Sequence, residues 1–388
     1  MSMIIPTANR LQNVKEYYFS IKLQEIRRMR EAGLDVINMG IGSPDMMPSA
    51  ETIEELYQSA RQPNHHGYQP YQGTPELRKA IADWYAQTYG VNLNPEGEVL
   101  PLMGSKEGIT HVSLTFLNPG DEVLVPELGY PAYTSVSNMV EAKIRHYPLR
   151  EQDWQPELEA MRKEDYSKVK LMWLNYPHMP TGSPANAEVL QELIQLAQEK
   201  KFLICHDNPY SLVLNKAKPL SILSLPGARE VCLEFNSLSK SHNMAGWRVG
   251  WICGAKEYLT EVLKIKSNVD SGMFRPIQDA AVRALQNPET WHAGRNAEYA
   301  ERRKLVFQLL DALGCSYSQE QEGMFVWAKI DDTQESSEKF VDSILQKYHV
   351  FLTPGFIFGA KGNRYIRVSL CNQNNILQGA ISRVNNLV

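Results

Sequence analysis

The sequence predicts an α/β fold in which a mostly parallel sheet flanked by helices is joined to a smaller α+β unit. Two observations carry this expectation. Between about residues 100 and 255, seven short apolar runs rich in β-formers alternate with amphipathic helical segments: EVLPLM, EVLVPE, KIRHYPL, KLMWLN, FLICHD, VCLEFN and VGWICG. After about residue 267 the pattern changes to long helices and a few separate apolar runs.

At 388 residues the chain exceeds what one hydrophobic core usually holds, roughly 250 to 300 residues, so two domains are expected. We place the larger at residues 46–284 and the smaller at 1–45 together with 285–388, so that both chain ends build it. The first 20 residues, MSMIIPTANRLQNVKEYYFS, lack the apolar centre of a signal peptide, and no run approaches the roughly 20 apolar residues that span a bilayer. Within the larger unit, residues 187–200 carry Val189, Leu190, Leu193, Ile194, Leu196 and Ala197 at helical spacing, as a crossover between parallel strands requires. The smaller unit reads as helices over residues 276–313, the run MFVWAKI, a helix over 336–348, and the runs VFLTP and RYIRVSL.

Composition narrows the function. Hydrophobic residues at 43% and charged residues at 22% are ordinary globular values, and a net charge of −4 gives no footprint for nucleic acid or an anionic membrane. Small-molecule partners are expected. Cys205, Cys232, Cys253, Cys315 and Cys371 never form a CxxC pair and mostly sit in apolar runs, which reads as reduced core thiols in a cytoplasmic protein.

The chemistry is concentrated where apolar runs end, the edge at which open parallel sheets bind ligands. Residues 237–250, SLSKSHNMAGWRVG, place Lys240 among small hydroxyl residues and Arg248 eight positions later. A lysine can form a Schiff base with a carbonyl carbon, and a guanidinium grips phosphate oxygens in a fork. Pyridoxal 5'-phosphate needs both. After EVLPLM come Gly104, Ser105 and Lys106, opening a predicted helix whose N-terminal N–H groups suit a phosphate; the plainer reading makes Ser105 a helix cap. After FLIC come Asp207, able to accept a bond from a protonated pyridine nitrogen, and Tyr210, able to donate to a phenolic oxygen. NYPHMPTG, residues 175–182, is an irregular loop suited to one wall of a pocket. Arg367 in RYIRVSL is the natural receptor for an α-carboxylate, whereas Arg364, three positions earlier, points to the opposite face of a continuous strand.

Taken in order along nearly the whole chain, these motifs resemble the class I and II aminotransferases of the fold type I pyridoxal-phosphate enzymes. The wording GSKEGI and SKSHNMAGWRVG is closest to the branch of alanine, LL-diaminopimelate, methionine and aspartate aminotransferases. The resemblance implies a large domain with a mostly parallel seven-stranded sheet, and an amino group moved between an L-amino acid and a 2-oxo acid through a Lys240 Schiff base. By the same resemblance Asp207 bonds the pyridine nitrogen, Tyr210 the phenolic oxygen, and Ser105, Lys106, Ser237, Ser239 and Arg248 hold the phosphate. Tyr130 in GYPAY stacks on the cofactor, Arg367 takes the substrate's α-carboxylate, and Gly42 in GIGSPD belongs to the amino-terminal substrate loop. Tyr68 reaches the phosphate of a neighbouring subunit, which implies a homodimer with shared active sites. One position departs from the family pattern. Its NPTG loop supplies an asparagine to the phenolic oxygen, and here Met179, which cannot donate, stands in that place; Asn175, His178 or water is the substitute, and the plainer reading makes His178 a solvated loop residue. A pyridoxal-phosphate C–S lyase is the alternative on the same scaffold, and a non-catalytic binding protein of this fold is a third.

Overall fold

The computed structural model describes residues 4–13 and 18–386; positions 1–3, 14–17 and 387–388 of the expected smaller unit lie outside the described residues. Among the described residues thirteen strands follow in chain order: β1 Ile37–Asn38, β2 Val99–Leu102, β3 Glu122–Pro126, β4 Lys143–Tyr147, β5 Val169–Asn175, β6 Leu203–Asp207, β7 Cys232–Ser237, β8 Gly250–Gly254, β9 Ser316–Tyr317, β10 Phe325–Lys329, β11 Val350–Phe351, β12 Thr353–Pro354 and β13 Tyr365–Ser369.

All seven apolar runs of the central region are strands of one sheet, ordered β2-β8-β7-β6-β5-β3-β4. Parallel pairing runs from β4 through β3, β5 and β6 to β7, and β8 is antiparallel to both its neighbours. Since β8 opposes β2 and β7 alike, β2 runs in the direction of β7, and its carboxyl end falls on the same edge of the sheet. That edge therefore gathers the residues that follow β2, β5, β6 and β7.

The strands are apolar on both faces because helices cover both. Along β5, Leu171 and Trp173 belong to one hydrophobic cluster and Met172 and Leu174 to the other; Val123 and Val125 of β3 likewise alternate with Leu124. The helix Ala187–Lys200 is the crossover from β5 to β6, buried through the six apolar residues its spacing marks out. Asn186 caps it, Oδ1 accepting from the N–H groups of Glu188 and Val189.

The second sheet has the order β12-β13-β10-β9 and is antiparallel throughout. Its neighbour is a two-stranded parallel pair of β1 and β11, which ties the amino-terminal segment to the carboxyl-terminal part of the chain. Lys22 adds a 2.7 Å ion pair to Asp342. The helical stretch predicted over 276–313 consists of Arg275–Leu285 and Glu289–Ala312, parted at Pro288, whose ring cannot continue the first helix. All five cysteines are buried and unpaired. Among the described residues no helix is long and apolar enough to cross a membrane.

Candidate active site

The carboxyl edge of the large sheet and the face of the small sheet enclose a pocket of about 610 Å³. Of the thirteen residues singled out from the sequence, Gly42, Ser105, Lys106, Tyr130, Asn175, Asp207, Tyr210, Ser237, Ser239, Lys240, Arg248 and Arg367 line it, as does Met179. Tyr68 does not; its side chain is 92% exposed on the outside of this chain.

Lys240 sits on the single helical turn Leu238–Ser241 that follows β7, and its Nζ donates to Gly42 O at 2.5 Å. Burial pushes its ammonium below the usual lysine range; Arg367 and Arg248 push the same way, while the Cys371 thiol and Asp207 oppose them. More of it is therefore a free amine at neutral pH than for a surface lysine. Asp207 ends β6. Its Oδ2 accepts from Tyr133 OH at 2.9 Å, and its backbone oxygen accepts from Asn175 Nδ2 at 2.6 Å. Oδ1 is buried with no hydrogen-bond partner among the described residues. Burial raises the carboxyl to about 6, against the opposing pull of the Tyr133 bond, His206 and Lys240. Tyr210, three residues further along the loop, has its hydroxyl held protonated by the same burial.

The phosphate-sized end of the pocket depends on two glycines. Gly104 has φ of 85°, and a Cβ there would lie 2.1 Å from Arg248 Nη2; one on Gly250 would lie 2.7 Å from the N–H nitrogen of Ser105. Both positions let the start of the helix Ser105–Phe116 close on Arg248. The cap of that helix is Gly104, with no side-chain bond, so the expectation of a Ser105 cap is corrected: Ser105 is the first helical residue and its side chain is left to the pocket. Tyr130 stands at the start of the helix Pro131–Met139, its ring edge-on to Tyr133 at 5.6 Å.

At the opposite end Arg367 of β13 donates from Nη2 to Gly40 O at 2.9 Å and from Nη1 to Met179 Sδ at 3.2 Å. Its guanidinium carbon lies 3.9 Å from the centre of the Phe325 ring and 4.8 Å from that of Phe358. Arg364 is outside the pocket, for a different reason than strand alternation. It closes a short helical turn before β13 begins and donates to the backbone oxygens of Gln334 and Asp331.

One expectation for the 175–182 loop is corrected. His178 is neither solvated nor a donor to the pocket: it is buried, with Nδ1 against Thr181 Oγ1 at 2.7 Å and Nε2 against Leu128 O at 3.1 Å, and burial lowers it to about 4. Asn175 lines the pocket but works as a brace, its amide joining Asp207 O to the N–H of Met179. Sequence reasoning missed Tyr133, Gly40 and Phe325. Tyr133 had a signal, since it stands three residues after Tyr130 behind a proline that starts a helix, and so turns to the same face.

A flat, phosphorylated aldehyde fits these residues. The unpartnered Asp207 Oδ1 is an acceptor for a ring N–H, the Lys240 amine shares the cavity, and the glycine-lined helix start beside Arg248 is a cradle for phosphate.

Comparisons with known proteins agree with that fit. The family model "Aminotransferase class I and II" matches residues 34–383. The chain is 37% identical to LL-diaminopimelate aminotransferase of Moorella thermoacetica, over 97% of each chain, and 38% identical to the protein of the same name from Halothermothrix orenii, over 98% of each. Among solved structures it is similar to apo-BacF of Bacillus subtilis, with a TM-score of 0.95 and 34% identity over 99% of this chain and 98% of that one.

Proposed function

The chain belongs to the class I and II aminotransferases, an enzyme family dependent on pyridoxal 5'-phosphate, and from that premise we propose how its own residues divide the work. The single observation that carries the assignment is the buried Asp207, one oxygen unpartnered, in the same pocket as the Lys240 amine. When bound, the cofactor supplies an aldehyde that accepts an amino group and a ring that draws electrons from the bonds at the substrate's Cα.

Arg367 holds the donor's α-carboxylate, and the Phe325 ring beneath its guanidinium fixes the plane in which it presents two N–H groups. Lys240 Nζ would carry the proton between the substrate's Cα and the cofactor's carbonyl carbon, a role for which its buried setting, which favours the free amine, suits it. Asp207, oriented by Tyr133 and Asn175, keeps a proton on the ring nitrogen. Tyr210 donates to the phenolic oxygen. Ser105, Lys106, Ser237, Ser239 and Arg248 hold the phosphate, Tyr130 covers the ring, and Gly42 shapes the substrate side where its oxygen meets Lys240. The exposed Tyr68 supports a homodimer in which that tyrosine completes the phosphate site of a second copy of the chain. The division into 46–284 and 1–45 with 285–388 belongs to the same reading; the seven-stranded sheet lies wholly within the first range and the other strands within the second. Five buried free thiols support a cytoplasmic setting.

LL-diaminopimelate is the first donor to test, because relatives of that name are 37–38% identical over almost the entire chain. The apolar wall of Phe19, Leu23, Ile41 and Phe358 favours a donor with an apolar side chain as the second. The test is to titrate the holoenzyme with a panel of L-amino acids and follow absorbance. Conversion of the aldehyde form to the amine form by a donor, reversed by a 2-oxo acid, is the expected result. Release of ammonia and a 2-oxo acid without any acceptor would count for the lyase chemistry instead.

A further inference from the structure

Behind Asp207 the large sheet holds a second pair of titratable groups that the division of work above leaves unused. His206 of β6 and Glu234 of β7 are register partners on adjacent parallel strands, and both are fully buried. Neither lines the substrate pocket. Side chains alternate along a strand, so His206 turns to the face opposite Asp207 while remaining its neighbour in the chain.

The partners of the ring decide how many protons it carries. Nδ1 lies 3.0 Å from Glu234 Oε2, and Nε2 lies 3.1 Å from Tyr176 O. A backbone oxygen only accepts, so Nε2 bears a hydrogen. A neutral imidazole has no second N–H and would turn the Nδ1 lone pair onto a carboxylate oxygen. The other neighbours of Glu234 also present hydrogens to it: Ile222 N–H donates to Oε2 at 2.9 Å, and Ser221 Oγ donates to Oε1 at 2.8 Å while accepting from Leu223 N–H at 3.2 Å. Three donors around one carboxyl suit an anion, which leaves the shared proton on the ring.

Among the described residues no other cation lies within ion-pair distance of Glu234. The further ionisable groups that its charge reaches are Tyr85 and Tyr89 of the helix Pro75–Tyr89, Cys232 at the start of β7 and Cys253 of β8; burial raises all four, so each stays neutral. On the β5 side the Tyr176 hydroxyl is turned away to Trp154 O, and burial holds it protonated.

The pair meets the active site at two points. Tyr176, whose oxygen takes the Nε2 hydrogen, follows Asn175, whose amide holds Asp207 O, so the ring ties the end of β5 to the end of β6. Burial is the largest influence on the Asp207 carboxyl and raises it, while the Tyr133 bond, His206 and Lys240 oppose it in that order. Lys240 exchanges its proton during the reaction; His206, outside the pocket, does not.

Given the role assigned to Asp207 above, we propose that His206 and Glu234 form an imidazolium–carboxylate pair, and that the ring's charge, fixed behind Asp207, keeps that carboxyl ionised to receive the cofactor's ring N–H. His206 is thereby a positioning residue.

Isotope-edited NMR of the holoenzyme carrying nitrogen-labelled histidine, at about pH 7.5, should show two ring N–H signals for His206. Their absence from the double variant His206→Gln, Glu234→Gln assigns them; that variant leaves no buried charge unpaired, as either single change would. A single ring signal would overturn the pair. With the ring's charge gone the Asp207 carboxyl should titrate above its present value of about 6. The double variant should therefore bind pyridoxal 5'-phosphate more weakly than the wild type by roughly three- to tenfold at about pH 6.5, and by less than about twofold at about pH 8.5, where Asp207 ionises unaided. Equal weakening at both pH values would reduce the pair to packing, and undiminished binding at the lower pH would leave it without effect on Asp207; either result overturns the proposal. Asp207→Asn tests the premise separately. Wild-type cofactor affinity in that variant, with both His206 signals present in the wild type, would refute the role of Asp207 and the proposal with it, while leaving the charge pair itself established.

Discussion

The two ends of the substrate pocket are built on opposite principles. At the Asp207 end, buried polar groups are held by other polar groups: Tyr133 on one oxygen, Asn175 on the backbone, and Lys240 across the cavity. At the Arg367 end a permanent cation lies against aromatic rings and a thioether and donates to the backbone oxygen of Gly40. A proton-managing group needs neighbours that tune its charge, and the lowered lysine and raised carboxyl are the result. A carboxylate receptor needs a charge that never titrates and a shape that never turns, which guanidinium over flat rings supplies.

Substitutions at each end should fail in different ways. The largest effect is expected for Lys240→Ala, which removes the amine assigned to the Cα proton; single-turnover amino transfer should fall by roughly four orders of magnitude with donor binding retained. Near wild-type rates would refute the assignment. Arg367→Lys keeps the charge and loses the fork, so it should raise donor KM by roughly 10- to 100-fold and change kcat far less. A fall confined to kcat would show that Arg367 belongs functionally with the other end.

Much of the Asp207 end was legible in the sequence because parallel strands bring their carboxyl ends to one edge. Asn175, Asp207 and Ser237 are the last residues of adjacent strands, and each was visible as the polar residue that closes an apolar run. The Arg367 end is assembled from residues far apart in the chain. Gly40 and Arg367 meet across 327 positions, and Met179 and Arg367 across 188, so no local pattern announces those contacts. Arg367 itself stood out by its strand and chemistry, while Phe325 read as one more core residue of MFVWAKI. His178 was misjudged for a related reason. Two flanking prolines suggest an exposed turn, but the loop folds inward and the backbone oxygen of Leu128, fifty positions away, takes the second ring nitrogen.

The Asp207 end can be separated from the other by pH. Its folded carboxyl lies at about 6, above the ordinary 3.8, so the cofactor-free protein gains stability from that group below about pH 4 and loses it as pH rises through 6. Asp207→Asn removes the buried charge. Without cofactor the variant should therefore be the more stable protein at pH 7.5, by at most about 3 kcal/mol, with the difference closing toward pH 4. Urea unfolding at the two pH values measures this. With cofactor bound the order should reverse, because the carboxylate then has the partner that its unpaired Oδ1 lacks. A variant that is less stable at pH 7.5 in both forms would mean that Asp207 is needed for packing and not for its charge.

Met179 joins the two ends, since its N–H is held by Asn175 and its sulfur by Arg367. A thioether is a weak acceptor, so Met179→Leu, close in volume, should cost less than about 1 kcal/mol of stability and raise donor KM only about two- to threefold. Met179→Asn asks a different question, because an amide placed there could donate toward the ring edge that Tyr210 serves. A donor favours the ionised phenolic oxygen, so the pH midpoint of the holoenzyme's visible absorbance should move down, by about one unit or less. KM should respond in the first variant and the absorbance midpoint in the second. If the midpoint moves equally in both, the sulfur's grip on Arg367 is what sets the ring's environment, and the two ends are not independent.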